Sequence, residues 1–182
     1  MNVISLETKN LILRKAKIED LEDIYYNIWN DEEIANNMLW PVTKTKVEAV
    51  KRMERTIAYQ KDNFAYFICL KSTGEVIGFA GVKEKEDKVF EDSGLCIAKK
   101  YQGNGYAKEV VFVLKELVFN ELKAARFIYG CFSTNEKSRR VCLAQGFKYL
   151  NSKNIIRDYD QKEFVADYYY FDKEMYDFKI NE

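Results

Sequence analysis

The sequence predicts a mixed α/β fold, with α+β character, in which a central sheet of about seven strands is flanked by helices. The first observation is the order of its apolar segments, β-α-α-β-β-β-α-β-α-β-β, where a three-strand meander precedes a β-α-β crossover. The second is the stretch from Leu95 to Glu116, in which a strand ending at Ala98, a glycine-bearing turn and an amphipathic helix follow one another. With 182 residues and no internal repeat or linker, the chain is expected to form one domain over residues 1–182.

The segment before the meander is predicted to hold one strand and two helices. Alternating apolar residues predict the strand over residues 7–15, and apolar residues at helical spacing predict a first helix over residues 17–29. Pro41 disfavours helical geometry at Trp40, so a loop is expected there. Thr43 is the predicted N-cap of the second helix.

The other strands are predicted from short apolar runs bounded by turn residues: residues 64–70, 76–82, 89–98, 127–132, 147–156 and 163–171. The run from Lys83 to Lys88 holds charges of both signs and is most simply the solvated end of a hairpin. A short helix is predicted over residues 135–145, with Gly146 as its C-cap.

The charge balance and the missing histidine exclude several functions. Lys and Arg together number 29, as do Asp and Glu, and this balance argues against a nucleic-acid binder that works by bulk charge. The chain has no His, so the usual Ser-His-Asp and Cys-His arrangements for nucleophilic catalysis are excluded. For the same reason no metal site is expected, and proton transfer would have to use Asp, Glu, Tyr, Cys, Lys or water.

The cysteines and the apolar runs indicate where the protein works. The four cysteines lie far apart without a C-x-x-C pair, which favours small buried side chains in a reducing cytoplasm over a disulfide framework. No charged start is followed by an apolar run, and no apolar run approaches the roughly 18 residues of a membrane-spanning helix. A cytoplasmic protein without a signal peptide or a membrane partner is therefore expected.

A glycine-bearing turn over residues 102–107 is the strongest indication of a ligand site. Gly103 and Gly105 lie where the turn meets the predicted helix start, and without Cβ atoms they let a ligand approach the backbone closely. The first amides of a helix have no intrahelical partner, and the helix dipole adds about half a positive charge there. The turn is therefore suited to an anion, and best to a phosphate.

Further motifs accompany this turn in a specific order. Along the chain they are residues 6–14, LETKNLILR; Trp40-Pro41 with Thr43; the turn Gln102-Gly103-Asn104-Gly105-Tyr106-Ala107; Asn135-x-x-Ser138 with Gly146-Phe147; and residues 167–171, DYYYF. With these motifs the sequence resembles, over nearly its whole length, the GNAT superfamily of acetyl-CoA-dependent N-acetyltransferases. The turn matches the superfamily's Q/R-x-x-G-x-G/A pyrophosphate loop. Within the superfamily the chain is most similar to the branch named for ribosomal-protein alanine N-acetyltransferases.

The resemblance implies that acetyl-CoA is the acetyl donor and lies in a V-shaped slot between the fourth and fifth strands. A bulge in the fourth strand is expected to open the slot. Main-chain groups of Leu95, Cys96 and Ile97 would bond the pantetheine arm, and amides of residues 102–107 would bind the diphosphate. Asn135 and Ser138 would contact the pantetheine and phosphate region. The candidates for the 3′-phosphate, among which the sequence leaves the choice open, are Lys108, Lys137, Arg139 and Arg140.

The implied reaction is direct attack on the thioester by a primary amine, from a protein N-terminus or a small molecule. Because an alkylammonium with a pKa of about 10.4 is almost wholly protonated at neutral pH, a proton acceptor is needed. A carboxylate on the fourth strand is expected, either Asp92 or Glu91, and alignment on Gly94 favours Asp92. The main-chain N–H near Ile97 is the expected donor to the carbonyl oxygen. Trp40 is the expected wall of the acceptor site.

One position departs from the pattern of the superfamily. Many members carry a Tyr that protonates the leaving thiolate, and this sequence has Cys142 there. A thiol with an ordinary pKa of about 8.5 could donate a proton or could simply pack in the core, so the acid stays open. The departure supports one alternative, a non-catalytic CoA-binding module with the same fold. A dinucleotide-binding protein is a weaker alternative, because the G-x-x-G and the ribose-binding acid are missing. The sequence is compatible with a monomer and with a homodimer.

Overall fold

The structure of the protein, a computed structural model, describes residues 5–180 and contains an eight-stranded sheet. The strands are β1 Ser5–Glu7, β2 Leu11–Arg14, β3 Phe64–Leu70, β4 Val76–Glu86, β5 Val89–Ile97, β6 Arg126–Phe132, β7 Lys148–Arg157 and β8 Lys162–Asp172. Their spatial order is β1-β2-β3-β4-β5-β6-β8-β7. All neighbouring strands are antiparallel except β5 and β6, which are parallel. The predicted mixed sheet is therefore confirmed.

Helices connect the strands and cover the sheet. They are α1 Leu21–Ile24, which continues as a wider π-helical turn over Tyr25–Trp29; α2 Glu32–Asn36; α3 Lys46–Asp62; α4 Tyr106–Glu116, which continues as a π-helical turn over Leu117–Glu121; α5 Glu136–Ala144; and α6 Lys173–Ile180. Short 3₁₀ turns lie at Ile18–Asp20 and Lys99–Tyr101. Across the described residues, no helix combines the length and the apolar character needed to cross a bilayer.

The start of the sheet differs from the single strand predicted over residues 7–15. The side chains of Thr8 and Asn10 each hydrogen-bond to the carboxylate of Glu109 on α4 at 2.6 Å. These bonds hold a turn that divides the segment into β1 and β2, which pair antiparallel. The sheet therefore has eight strands where about seven were predicted.

One helix start differs from the prediction, and two helices were not predicted. Thr45, not Thr43, caps α3, because only Thr45 has an acidic residue three positions on and forms a reciprocal capping box with Glu48. Thr43 is buried and accepts a hydrogen bond from Arg52 at 2.9 Å. The short helix α2, which was not predicted, begins at its own cap, Asp31. Helix α6 was not predicted either.

Two cores lie on the two faces of the sheet. One core packs against α4 and α6 and includes Tyr66 and Phe171, and the other packs against α1 and α3 and includes Trp29, Met53 and Phe67. Successive residues of a strand point to opposite faces, which is why the neighbours Tyr66 and Phe67 belong to different cores. The two helical layers therefore cover opposite faces of the sheet.

Candidate active site

The parallel strands β5 and β6 stay together over only a short distance. Their pairing covers residues 89–91 and 126–128 and goes no further. Beyond it, Ser93 and Gly94 of β5 together oppose Gly81 of β4, which is a β-bulge, and Gly94 has a φ of +106°. The strands therefore separate from Asp92 onward, and a slot opens between them as the resemblance implied.

A cavity of about 940 Å³ opens at this slot. The predicted site residues that line it are Trp40, Glu91, Asp92, Leu95, Asn135 and Ser138. The predicted site residues that do not line it are Cys96, Ile97, the turn residues 102–107, Arg139 and Cys142. The structure thus brings the candidate bases together with the expected acceptor wall and one side of the expected pantetheine site.

The free edge of β5 presents alternate main-chain groups to the slot. The Ala98 amide donates to a carbonyl of β4 at 2.8 Å, so Ala98 and, two residues earlier, Cys96 direct their main-chain groups to β4. The main-chain groups of Ile97 point away from β4, and its carbonyl accepts a hydrogen bond from the Gln102 side chain at 2.9 Å. Leu95 has the same orientation as Ile97. The slot side of β5 therefore offers the main chain of Leu95 and Ile97, not that of Cys96.

The turn over residues 102–107 leaves its backbone open. Gly103 and Gly105 have φ values of +84° and +81°, a left-handed conformation that suits glycine. No heavy atom lies within 4 Å of an ideal Cβ at either position. Gly105 is the N-cap of α4, and across residues 5–180 the amides of residues 103–107 have no hydrogen-bond acceptor. This turn can therefore bind an anion without displacing any protein group.

Side chains hold this turn in place from two sides. Glu75 accepts hydrogen bonds from Lys100 at 2.7 Å and from the Tyr101 hydroxyl, just before the turn. On the other side, Lys137 Nζ of α5 donates to Gln102 Oε1 at 3.1 Å. The turn is fixed by these contacts, while its amides stay available.

Asn135 and Ser138 lie together at the start of α5. Asn135 is the N-cap and accepts from the Ser138 amide at 3.1 Å, and Ser138 Oγ shares a hydrogen bond with the Tyr129 hydroxyl at 2.8 Å. Arg139 forms an ion pair with Glu136 at 2.6 Å instead. The two polar residues of the motif thus face the cavity, and the arginine after them does not.

Asp92 bridges the strands at the point where they separate. Its Oδ1 accepts from the Gly130 amide of β6 at 2.7 Å, and its Oδ2 accepts from the Gly94 amide at 3.2 Å. Burial raises the pKa of Asp92 to about 7, and the charge of Glu91 adds to the rise while the two amides oppose it. A carboxyl with this pKa can take up a proton at neutral pH.

Glu91 is the other candidate base and lies in a different environment. It precedes Asp92 in an extended strand, so the two side chains point to opposite faces of the sheet. The Glu91 carboxylate pairs with Lys85 Nζ at 3.1 Å, and Lys83 lies opposite it in β4. Glu91 therefore faces ammonium groups, whereas Asp92 faces main-chain amides.

Cys142 lies in the core and not at the cavity. Its side chain is 0% exposed, and its Sγ donates to the Arg139 carbonyl at 3.2 Å. Burial raises the pKa of the Cys142 thiol to about 12. This is the environment of a packing side chain.

The acceptor end of the cavity contains residues that the sequence did not indicate. Trp40 contacts Phe79, with 6.3 Å between the ring centroids, and the Arg52 Cζ lies 4.1 Å from the Trp40 ring centroid. Helix α3 brings several side chains to this end, among them Arg52, Arg55, Thr56 and Tyr59. Their i, i+3, i+4, i+7 spacing is that of one helix face, and this was the available signal.

Comparisons with known proteins agree with this geometry. The family model described as an acetyltransferase (GNAT) domain matches residues 10–148. An uncharacterized N-acetyltransferase of Bacillus subtilis strain 168, YoaA, is 30% identical over 160 residues, which are 85% of this chain and 86% of that protein. The domain match and the relative each cover most of the chain.

Two solved structures share the fold. An acetyltransferase of the GNAT family from Bacillus anthracis has a TM-score of 0.82 at 20% identity, over 94% of this chain and 99% of that one. RimL, a ribosomal alpha-N-protein acetyltransferase solved in complex with coenzyme A, has a TM-score of 0.76 at 17% identity, over 92% of this chain and 97% of that one. These two structures show the shared fold. The domain match and the Bacillus subtilis relative show that the chain belongs to the GNAT family of N-acetyltransferases, which use acetyl-CoA as the acetyl donor.

Proposed function

We propose that this enzyme transfers acetyl from acetyl-CoA to a primary amine, of a protein N-terminus or a small molecule, by direct attack in a ternary complex. The observation that supports this proposal is one continuous cavity. Leu95, Asn135 and Ser138 on the pantetheine side line the same space as Trp40 on the acceptor side, with Asp92 in it. Both substrates can therefore be held in reacting positions at the same time.

In this proposal the main chain holds most of the donor. The pantetheine arm lies along the free edge of β5 and bonds the main chain of Leu95 and Ile97, while Cys96 is directed to β4. The diphosphate takes the open amides of residues 103–107, with the ammonium of Lys137 at the same turn.

Asp92 accepts the proton of the acceptor ammonium. Burial raises the pKa of Asp92 to about 7, so its carboxylate can accept a proton at neutral pH, which suits a general base. The neutral amine attacks the thioester carbon, and the negative charge that develops on the carbonyl oxygen is stabilised by the Ile97 amide. The carbonyl then re-forms as the C–S bond breaks, coenzyme A leaves as a thiolate, and the attacking nitrogen releases its second proton to solvent. Since the Cys142 thiol is buried, the thiolate takes its proton from solvent.

The branch of ribosomal-protein alanine N-acetyltransferases is our proposed placement within the family. It is supported by the motif at residues 6–14, by Trp40-Pro41, and by the likeness in fold to RimL. Four free cysteines support the cytoplasm as the compartment. Neither proposal determines the acceptor, because acceptor choice depends on the residues of the site and not on the fold.

Calorimetric titration with acetyl-CoA, followed by an acetylation assay, tests the proposed function. The assay offers peptides with free N-termini and small amines, and it measures the released thiol of coenzyme A. We expect acetyl-CoA to bind and at least one amine to be acetylated. Binding without turnover of any amine would favour the non-catalytic module, and an absence of binding would contradict the proposal.

A further inference from the structure

Two arginines of α3, Arg52 and Arg55, line the acceptor end of the cavity. Building on the function proposed above, we propose that the acceptor is a small amine that carries an oxyanion, a carboxylate or a phosphate, at its opposite end. Arg52 and Arg55 bind the oxyanion while the amine reaches Asp92.

The guanidinium of Arg52 is held in one orientation at the cavity. Its Cζ lies 4.6 Å from the ring centroid of Trp29 and 4.1 Å from that of Trp40. Its Nη1 donates to Thr43 Oγ1 at 2.9 Å. This bond uses one of the five N–H donors of the guanidinium, and stacking on aromatic rings supplies no counter-charge. The group is therefore preorganised for a planar oxyanion.

Neither arginine has a carboxylate partner in the part of the chain that the structure describes. The arginines that do form ion pairs there are Arg14, Arg126, Arg139 and Arg157. Burial lowers the pKa of Arg52 to about 10, and the charge of Arg55 adds to the lowering. Both effects lower the pKa because no counter-ion among the described residues lies beside the positive charge. A ligand oxyanion would supply this counter-ion through charge-assisted hydrogen bonds.

Two of the three carboxyl groups that line the cavity lie away from the arginines. Glu48, on the same helix as the arginines, accepts two backbone amides at the α3 N-cap at 2.9 and 3.2 Å, and so is engaged. Glu91 and Asp92 lie on β5, where Lys83 stands opposite Glu91. Apart from the engaged Glu48, the carboxyls of the cavity thus lie on its β5 side, beside Lys83, and the guanidiniums lie on its α3 side. This polarity complements a molecule with an ammonium at one end and an oxyanion at the other.

Aromatic contacts connect the arginines with the reaction site. Arg52 lies over Trp40, Trp40 contacts Phe79, and a Cβ on Gly94 would meet the Phe79 ring at 3.4 Å. The Gly94 amide in turn bonds Asp92 at 3.2 Å. Two aromatic rings that line the cavity therefore connect the guanidinium with the residue whose amide bonds the candidate base.

Steady-state acetyl transfer to matched pairs of amines tests the proposal. Para-(aminomethyl)benzoate is compared with its neutral amide, and tyramine phosphate with tyramine, so that one pair tests carboxylate and the other phosphate. The wild-type protein is expected to prefer at least one anionic partner by about tenfold or more in kcat/KM, because hydrogen bonds to charged groups are gained. Equal turnover of the charged and neutral members of both pairs would overturn the proposal.

Substitutions on α3 assign the preference to the arginines. Arg52→Gln and Arg55→Gln are each expected to remove most of the preference, through KM, and to affect the neutral partner far less. Arg52 packs against two tryptophans, so its replacement could disturb the fold. Arg55 is exposed, so Arg55→Gln is the variant that keeps the fold. Lys51→Gln removes an exposed charge of the same helix outside the cavity. It is expected to leave kcat/KM unchanged for both the charged and the neutral acceptor of each pair. A loss by the same factor for charged and neutral acceptors would contradict the proposal.

Calorimetric titration of the anionic probes into the protein–CoA complex separates this proposal from the proposed reaction. Binding that disappears in the Arg52→Gln, Arg55→Gln double variant, without turnover of any amine, would support the oxyanion site and contradict amine acetylation. Turnover of neutral amines without binding of either anionic probe would support acetylation and overturn the oxyanion site. Neither binding nor turnover would overturn both.

Discussion

The donor end and the acceptor end of the cavity are built from different groups. At the donor end most of the proposed contacts are main-chain groups, from the free edge of β5 and from residues 103–107. At the acceptor end the groups are side chains, among them Trp40, Arg52 and Phe79, which come from separate segments. A site made of main chain changes little when side chains are exchanged and is lost when the backbone is blocked. A site made of side chains behaves in the opposite way, so substitutions at the two ends should separate donor affinity from acceptor affinity.

The largest expected effect is on the donor end, with Gly105→Trp. The side chain would enter the open space above the turn amides, and we expect acetyl-CoA affinity to fall at least about 100-fold because several charge-assisted hydrogen bonds are lost. Gly74→Trp is the matched control, since Gly74 has a φ of +78° and also has no atom within 4 Å of its Cβ. It imposes the same backbone strain away from the cavity. Calorimetry that finds equal affinities for the two variants would contradict the proposed position of the diphosphate.

Asp92→Asn tests the point where the two ends meet. We expect kcat to fall about 100-fold or more, as for the loss of a general base, with little change in acetyl-CoA affinity. The ionised form is the active one, so the wild-type rate should rise with pH and level off above about 7, and the variant should lack this rise. The measurement is a pH–rate profile for each protein.

Glu91→Gln is the comparison for that experiment. A smaller fall in kcat is expected, because Glu91 is paired with Lys85. The rise in rate with pH should remain but should shift to lower pH, because the charge of Glu91 no longer raises the pKa of Asp92. If the rise in rate with pH is absent in Glu91→Gln and present in Asp92→Asn, Glu91 is the base.

Trp40→Ala is expected to act at the acceptor end alone. It removes the ring on which Arg52 stacks, and a cation–π contact of this kind is worth about 0.5–2 kcal/mol, so we expect KM for the acceptor to rise about tenfold. Acetyl-CoA affinity should be unchanged. Tyr26→Ala is the control, because it removes an exposed ring under Lys46 that does not line the cavity. A loss of acetyl-CoA affinity in Trp40→Ala would mean that the two ends are not independent.

The smallest effect is expected for Cys142→Ala, which touches neither end. Its turnover should stay within about twofold of wild type, and its free energy of unfolding should fall by about 1 kcal/mol, the cost of removing one small buried group. Enzyme assays and denaturant titration check both values. A tenfold loss of kcat in a stably folded variant would make Cys142 the proton donor after all.

The contrast between the two ends also explains how much of the site the sequence could predict. The turn with Gly103 and Gly105 is a local backbone motif, so its residues and its position after a strand were predictable. The same holds for Asn135 as the cap of α5 and for Gly146, whose φ is +86° after the helix. Local patterns of this kind need no knowledge of distant contacts.

Features that depend on distant partners were not predictable. The turn at Thr8 is held by Glu109, about a hundred residues further on. The cap at Thr45, by contrast, was predictable and was missed, because its partner Glu48 lies only three residues further on. The spacing of Arg52 and its neighbours in α3 predicts that they share one helix face. It does not predict that Arg52 contacts two tryptophans. The raised pKa of Asp92 likewise comes from burial between two strands, which the order of residues along the chain does not reveal.

A crystal structure of the complex with coenzyme A tests most directly whether the main chain holds the donor. The account predicts diphosphate oxygens within hydrogen-bonding distance of the amides of residues 103–107 and a pantetheine arm that bonds the main chain of Leu95 and Ile97 between β5 and β6. A diphosphate bound away from this turn, or strands β5 and β6 paired along their whole length in the complex, would contradict it.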